Sequence, residues 1–129
     1  MQDKVKKVLL VDDDALLREL LGLLVEKHGY MLNKAENGQD AITLVDSFRP
    51  DLIVLDVMMP IMDGREFLTW LQANSSPQVC VLVLTSMTDE KLHKELYELG
   101  AARVETKPIS LKILERTIQE LLGERPPGA

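Results

Sequence analysis

The stretch Leu52-Ile53-Val54-Leu55-Asp56-Val57-Met58-Met59-Pro60 constrains this chain more than any other. Its first four residues are all apolar and two of them are β-branched. That pattern predicts a strand buried on both faces, because half-exposed strands alternate in polarity. Pro60 has no N–H to offer a ladder, so pairing ends before it. Asp56 therefore stands at the carboxyl end of a core strand. A carboxylate so near a core is costly unless something compensates it. In open α/β sheets, ligands bind along that edge. Read alone, the stretch also fits an aspartate that merely opens a loop after a strand.

The rest of the chain supplies the partners such a strand needs. Val8-Leu9-Leu10-Val11 predicts a first strand, ending in Asp12-Asp13-Asp14. Leu16, Leu17, Leu20, Leu21, Leu24 and Val25 recur at helical spacing and predict a first helix, which Gly29 stops. Residues 30–35 read as a weaker second strand. After Asn37-Gly38, a second helix runs through Ala41, Ile42, Leu44, Val45 and Phe48 until Arg49-Pro50. Asp63-Gly64 is a turn signal, and Phe67, Leu68, Trp70 and Leu71 fill a third helix before a loop at 74–77. The apolar run 79–84 predicts a fourth strand, ending in Thr85-Ser86. Leu92, Leu96, Leu99 and Tyr97 line a fourth helix, with Asp89 and Glu90 in its first turn and Gly100 at its end. A short fifth strand at 102–106 leads to Lys107-Pro108. Ser110 is suited to cap a last helix whose apolar positions are Leu111, Ile113, Leu114, Ile118 and Leu121, closed by Gly123.

Strand and helix thus alternate five times, which implies a parallel sheet covered on both faces. The expected organisation is one α/β domain over residues 1–123. Residues 124–129 carry two prolines and a glycine and read as a tail or the start of a linker. A chain of 129 residues is long enough for one real core. Its net charge of -6 argues against direct nucleic-acid contact and against a basic membrane-binding face. Tyr30, Phe48, Phe67, Trp70 and Tyr97 are too few aromatics for a base-stacking platform. The single cysteine, Cys80, allows no intramolecular disulfide and reads as a buried, inert thiol. No apolar run approaches ~20 residues and no signal-peptide pattern opens the chain, so a cytoplasmic location is expected.

A single parallel sheet gathers the ends of its strands on one edge. There the sequence puts Asp12, Asp13, Asp56, Thr85 and Lys107. Three carboxylates brought together repel one another, and desolvation worsens this. They form a hard-oxygen site that suits Mg²⁺, which takes one or two carboxylates and keeps waters and phosphate oxygens. With a cation at Lys107 and a hydroxyl at Thr85, the set describes phosphoryl chemistry at a carboxylate. Asp14 is placed to cap or charge the start of helix one. No Gly-rich phosphate loop is present. His28 and His93 fall in or at the ends of helices and read as surface residues, which leaves no histidine for a serine or cysteine triad.

Val-Asp-Asp after strand one, Leu-Asp-x-x-Met-Pro after strand three, Leu-Thr-Ser after strand four and Thr-Lys-Pro after strand five, in that order and spacing, resemble the receiver domain of two-component response regulators. The resemblance spans about residues 5–122. It implies a flavodoxin-like, doubly wound, five-stranded parallel sheet of order 2-1-3-4-5 with five helices. It also implies a Mg²⁺-dependent, phosphorylation-controlled switch rather than an enzyme in its own right. Asp56 corresponds to the phosphoacceptor. Asp13, Asp56 and the backbone carbonyl of Met58 correspond to direct Mg²⁺ ligands, with Asp12 acting through water. Thr85 would follow the phosphoryl group, and Lys107 would pair with Asp56 or the phosphoryl oxygens. The Lys107-Pro108 bond is cis in that family. Its members take phosphoryl from a sensor histidine kinase or phosphotransfer protein. They act on an effector protein or a fused output domain, and some form phosphorylation-dependent dimers.

The departures from the pattern are few. Val104 stands where the family carries an aromatic switch residue, and a short side chain stiff at χ1 cannot swing as tyrosine does. Arg103 replaces an acidic residue of many DNA-binding members. Met58 and Met87 occupy the positions that flank the path of the hydrolytic water. Two alternatives remain. A pseudo-receiver acting as a constitutive interaction domain would lack an acid, hydroxyl or lysine, and none is missing. An aspartyl-phosphate hydrolase would carry a second acid where Met58 stands.

Overall fold

The computed structural model describes residues 5–74 and 79–123. Strands and helices alternate: β1 (Lys7–Val11), α1 (Ala15–Lys27), β2 (Met31–Ala35), α2 (Gly38–Phe48), β3 (Leu52–Leu55), α3 (Gly64–Asn74), β4 (Cys80–Thr85), α4 (Glu90–Glu98), β5 (Arg103–Thr106) and α5 (Leu111–Leu121). The strands form one parallel sheet in the order β2-β1-β3-β4-β5. Val11 is level with both Ala35 and Leu55, so β1, β2 and β3 finish together; Leu55 is level with Val83, and β4 runs two residues further to end with β5 at Thr85 and Thr106. This is the doubly wound, flavodoxin-like arrangement expected. The tail at 124–129 and most of the 74–77 loop lie outside the described residues, and Asn74 itself ends α3.

Alternate strand residues feed two cores, as the pleat requires. Leu9, Val11, Ile53, Leu55, Val81 and Val83 meet Ala41 and Val45 of α2, Phe67, Leu68 and Leu71 of α3, and Leu92 and Leu96 of α4. Val8, Leu10, Leu52, Val54, Leu82 and Leu84 meet Leu21 and Val25 of α1 and Leu114, Ile118 and Leu122 at α5. Caps set the helix starts. Asp14 accepts from the amides of Leu16 and Leu17, Asn37 from Asp40, Asp89 from Lys91 and Ser110 from Ile113.

Several sequence expectations are corrected here. The apolar face of α1 is wider than the sheet covers: Leu21 and Val25 are buried, whereas Leu16 and Leu20 are exposed. Leu111 and Ile113 of α5 are likewise exposed, and only Leu114 and Ile118 of the expected stripe are fully buried. β2 begins at Met31, with Tyr30 buried just before it. Cys80 is half-buried rather than buried, and desolvation pushes its thiol up, which keeps it protonated. The histidines are not loose surface residues. His28 is held against Glu115 across α1 and α5 and stacks on Tyr30. The hydrogen bond from His28, assisted by Lys27, holds the Glu115 carboxyl below its usual range. His93 reaches back to the Met87 carbonyl at 2.7 Å.

Two glycines fix the loop after β3. The Gly64 amide donates to the Val57 carbonyl at 2.8 Å. A Cβ on Gly64 would lie 2.8 Å from Val57 Cα and closer still to the Asp56 carbonyl oxygen. The Gly38 amide donates to the Met62 carbonyl at 3.0 Å, and a Cβ there would sit 2.6 Å from Met62 Cγ. The loop thus starts and ends on backbone contacts that only glycine allows. At Gly64 the obstructing atoms are main chain and cannot rotate away. Gly64→Ala should therefore lower the unfolding free energy by about 2 kcal/mol, in the range of overpacked sites. Urea denaturation of the two proteins measures this, and equal midpoints would show that the loop shifts freely.

Candidate functional site

The sheet ladder runs one step beyond the strands, and that step places the site. The Asp12 amide donates to the Ala35 carbonyl, Asp56 to Val11 and Lys107 to Thr85, at 3.1, 2.9 and 2.7 Å. Asp12 and Asp56 come from adjacent strands β1 and β3, where the connections out of the sheet part to opposite sides. Oxygens of Asp12, Asp13 and Asp56 lie within 4.8 Å of one another. Asp12 and Asp56 are buried and Asp13 is exposed at the mouth. Lys107 Nζ lies 3.0 Å from Asp12 Oδ2 and 3.7 Å from Asp56 Oδ2. The lysine is thus closer to Asp12 than to Asp56, with which the sequence paired it. The Lys107-Pro108 bond is cis.

The remaining carboxylate oxygens of Asp12 and Asp56 each have a defined neighbour. Asp12 Oδ1 accepts from the Asp14 amide at 2.9 Å, and Asp56 Oδ1 from the Val57 amide at 2.8 Å. Thr85 is fully buried at the end of β4, and its Oγ1 accepts from the Met87 amide at 3.1 Å. Among the described residues no buried side-chain nitrogen or oxygen lacks a hydrogen-bond partner. The electrostatics are less settled. Burial foremost, then the Asp12 charge, push the Asp56 carboxyl up to about 6; Lys107 and the Val57 amide oppose this, and Asp13 adds a smaller push upward. A divalent cation among these oxygens would remove the two repulsions and offset the desolvation, so the donor set fits a hard ion such as Mg²⁺.

The other sequence-selected residues occupy different surroundings. Met58 is 62% exposed at the loop after β3, whereas Met87 is half-buried and packs against the first core. Val104 is a buried core residue of β5. Arg103 pairs with Glu105 and Glu120 at 3.6 and 3.4 Å. Asp14 caps α1, as expected, and is not among the clustered carboxylates. The sequence reading missed Arg18, whose Nη1 donates to the Asp12 carbonyl at 2.6 Å while Nη2 faces Glu36 at 3.6 Å. Its position four residues after the Asp14 cap, on the turn of α1 nearest the site, was the available signal.

A doubly wound parallel sheet with an acidic cluster, a buried hydroxyl and a lysine on its carboxyl edge defines a class of flavodoxin-like domains built around a charged switch-point site. Residues 8–119 match the model of the response regulator receiver domain, and the chain belongs to that family of phosphorylation-controlled regulatory domains in two-component signalling. The chain is 36% identical over 122 residues to a probable transcriptional regulator ycf27 of Cyanophora paradoxa, covering 95% of this chain and 50% of that protein. It spans about half the length of the curated transcriptional regulators it matches. Among solved structures, the signal receiver domain of a putative Luxo repressor from Vibrio parahaemolyticus superposes with a TM-score of 0.87 at 31% identity, covering 93% of this chain and 92% of that one. Chemotaxis protein CheY4 of Vibrio cholerae gives 0.85 at 30% identity, covering 92% and 99%. No helix among the described residues is long and apolar enough to cross a membrane.

The raised Asp56 carboxyl has a consequence for stability. Between its ordinary value of 3.8 and about 6, the folded protein holds a proton that the unfolded chain has lost. The stabilisation from that proton is complete below about pH 4 and disappears as pH rises through 6. Two pKa units correspond to about 3 kcal/mol, and water at the mouth screens this to about 1–2 kcal/mol. In EDTA at pH 7.5, Asp56→Asn should therefore be more stable than the parent by about that amount, with the gap closing towards pH 4. Urea midpoints across that range measure it, and a gap independent of pH would contradict the assignment.

Proposed function

We propose that this chain is a Mg²⁺-dependent switch that accepts a phosphoryl group on Asp56, and that it works in the cytoplasm. The observation that carries the reading is the buried Asp56 carboxylate, 3.7 Å from Lys107 and within 4.8 Å of two further carboxylates. Asp13, Asp56 and the Met58 carbonyl would hold the ion directly and Asp12 more remotely. When bound, the ion neutralises the cluster and polarises the phosphoryl oxygens. Asp56 Oδ1 is engaged by the Val57 amide, which leaves Oδ2 to attack phosphorus. The bond from phosphorus to the donor breaks and its electron pair leaves with the donor. Lys107 is near enough to turn from the carboxylates to the incoming negative oxygens. Thr85 offers its hydroxyl to another, moving the loop it anchors.

The donor in this reading is the phosphohistidine of a sensor kinase or phosphotransfer protein. The receiver of the signal is an effector protein or a fused output domain, with a phosphorylation-dependent dimer as one form it could take. The length of the matched regulators, about twice that of this chain, supports the fused arrangement. Acetyl phosphate with Mg²⁺ should place one phosphoryl group on the parent protein and none on Asp56→Asn, as read by intact mass. An unlabelled parent would favour the constitutive pseudo-receiver instead.

Signal lifetime follows from the methionines. Hydrolysis of the acyl phosphate needs a water held in line with the departing aspartate by a hydrogen-bonding group. The thioethers of Met58 and Met87 are at best weak acceptors. The exposed Met58 chain is free to cover the phosphoryl group, while Met87 is partly committed to the core. Self-dephosphorylation should be slow, and Met58→Asn or Met87→Glu should accelerate it about tenfold, or ~1.4 kcal/mol in the barrier. Decay of radiolabelled protein in Mg²⁺ after donor removal measures this, and unchanged or longer half-lives would exclude both methionines from that role.

A further inference from the structure

A chain of hydrogen bonds leaves the site through α4. Thr85 Oγ1 accepts from the Met87 amide at 3.1 Å. The Met87 carbonyl, in turn, lies 2.7 Å from His93 Nε2. A carbonyl only accepts, so the proton of the bond sits on Nε2. His93 and Tyr97 are four residues apart in α4 and so share one face of it. The Tyr97 hydroxyl accepts from the Val104 amide at 2.9 Å. β5 is an edge strand, whose outward N–H groups have no strand to pair with. Tyr97 therefore fastens α4 to the sheet edge while its ring remains 45% exposed. Val104 itself is buried and offers no ring to the surface.

We propose that His93 and Tyr97 are positioning residues that carry the state of Thr85 to the exposed surface of α4. The inference rests on phosphorylation of Asp56. In the structure described, Thr85 Oγ1 is held at the Met87 amide. When the hydroxyl turns to a phosphoryl oxygen, that amide loses its acceptor and the loop between β4 and α4 rearranges. His93, tied to the Met87 carbonyl, transmits the shift along the helix one turn to Tyr97. The Tyr97 hydroxyl then leaves or re-forms its bond with Val104. Coupling between sites requires an element with two arrangements, and in this proposal the loop is that element, because the hydroxyl that holds its Met87 amide is the one drawn away.

Tyr30 and Tyr97 are the only tyrosines, so 3-fluorotyrosine gives two ¹⁹F resonances, with the buried Tyr30 in the opposite core as internal reference. Tyr97→Phe assigns the pair. Beryllofluoride with Mg²⁺ serves as the phosphoryl mimic, and its bound fluorines appear in the same spectrum. The expected result is bound beryllofluoride, a displaced Tyr97 resonance and an unmoved Tyr30. His93→Leu should still bind the mimic but lose the Tyr97 response, and His93→Gln, which keeps a side-chain donor, should restore it. Bound mimic with a silent Tyr97, or a full response in His93→Leu, overturns the inference. Absence of bound mimic in the parent overturns the phosphoacceptor reading and this inference with it.

Discussion

Mutual repulsion among Asp12, Asp13 and Asp56 is the interaction around which the rest is arranged. Two of these carboxylates are buried, and among the described residues only Lys107 forms ion pairs with them, at 3.0 and 3.7 Å. One cation cannot neutralise three anions, and burial first, with the charge of Asp12 added to it, raises the carboxyl of Asp56 to about 6. A site of this kind is poised: it favours whatever adds positive charge or binds the carboxylates. A metal ion does the first. In the proposed function, transfer of a phosphoryl group to Asp56 would then exchange one carboxylate charge for a larger one and draw the lysine and the threonine to a new centre.

The fold holds this unfavourable cluster in place chiefly through the backbone. Extension of the ladder past β1, β3 and β5 fixes Asp12, Asp56 and Lys107. Gly64 and Gly38 close the loop after β3 against main chain, and Arg18 holds the Asp12 carbonyl from α1. The loop after β4 is different. It is held at Thr85 by a hydroxyl on the Met87 amide, and at α4 by His93 on the Met87 carbonyl and by the Asp89 cap on the Lys91 amide. In the proposed function the first half holds the ion and the phosphoryl group, and the loop after β4 responds through the Thr85 hydroxyl.

The gathering of the acids on one edge was legible because strands one, three and four are short apolar runs ending in a polar group. The strand order came instead from the resemblance to the receiver family, and strand two, ending in Ala35, gave no such mark. Val-Asp-Asp, Leu-Asp and Thr-Lys-Pro mark edges that burial and proline dictate. Capping by Asp14 and Ser110 was legible for the same local reason. Which apolar residues of α1 and α5 face the core was not: Leu16, Leu20, Leu111 and Ile113 repeat at helical spacing yet lie outside the width the sheet covers. The roles of His28, His93, Tyr97 and Arg18 were hidden because each depends on a partner in another element, loop or strand end. Periodicity reports which face a residue occupies and not what it touches there.

The central claim is that the acidic cluster is a metal site in which Asp13 is a direct ligand. Thermal unfolding with EDTA and with millimolar Mg²⁺ tests it without any phosphoryl donor. An ion present at ~100 times its dissociation constant adds about 2.7 kcal/mol to the folded state. The account predicts that Mg²⁺ raises the melting temperature of the parent protein and that Asp13→Ala loses most of the rise. An equal rise in Asp13→Ala, or none in the parent, would contradict it.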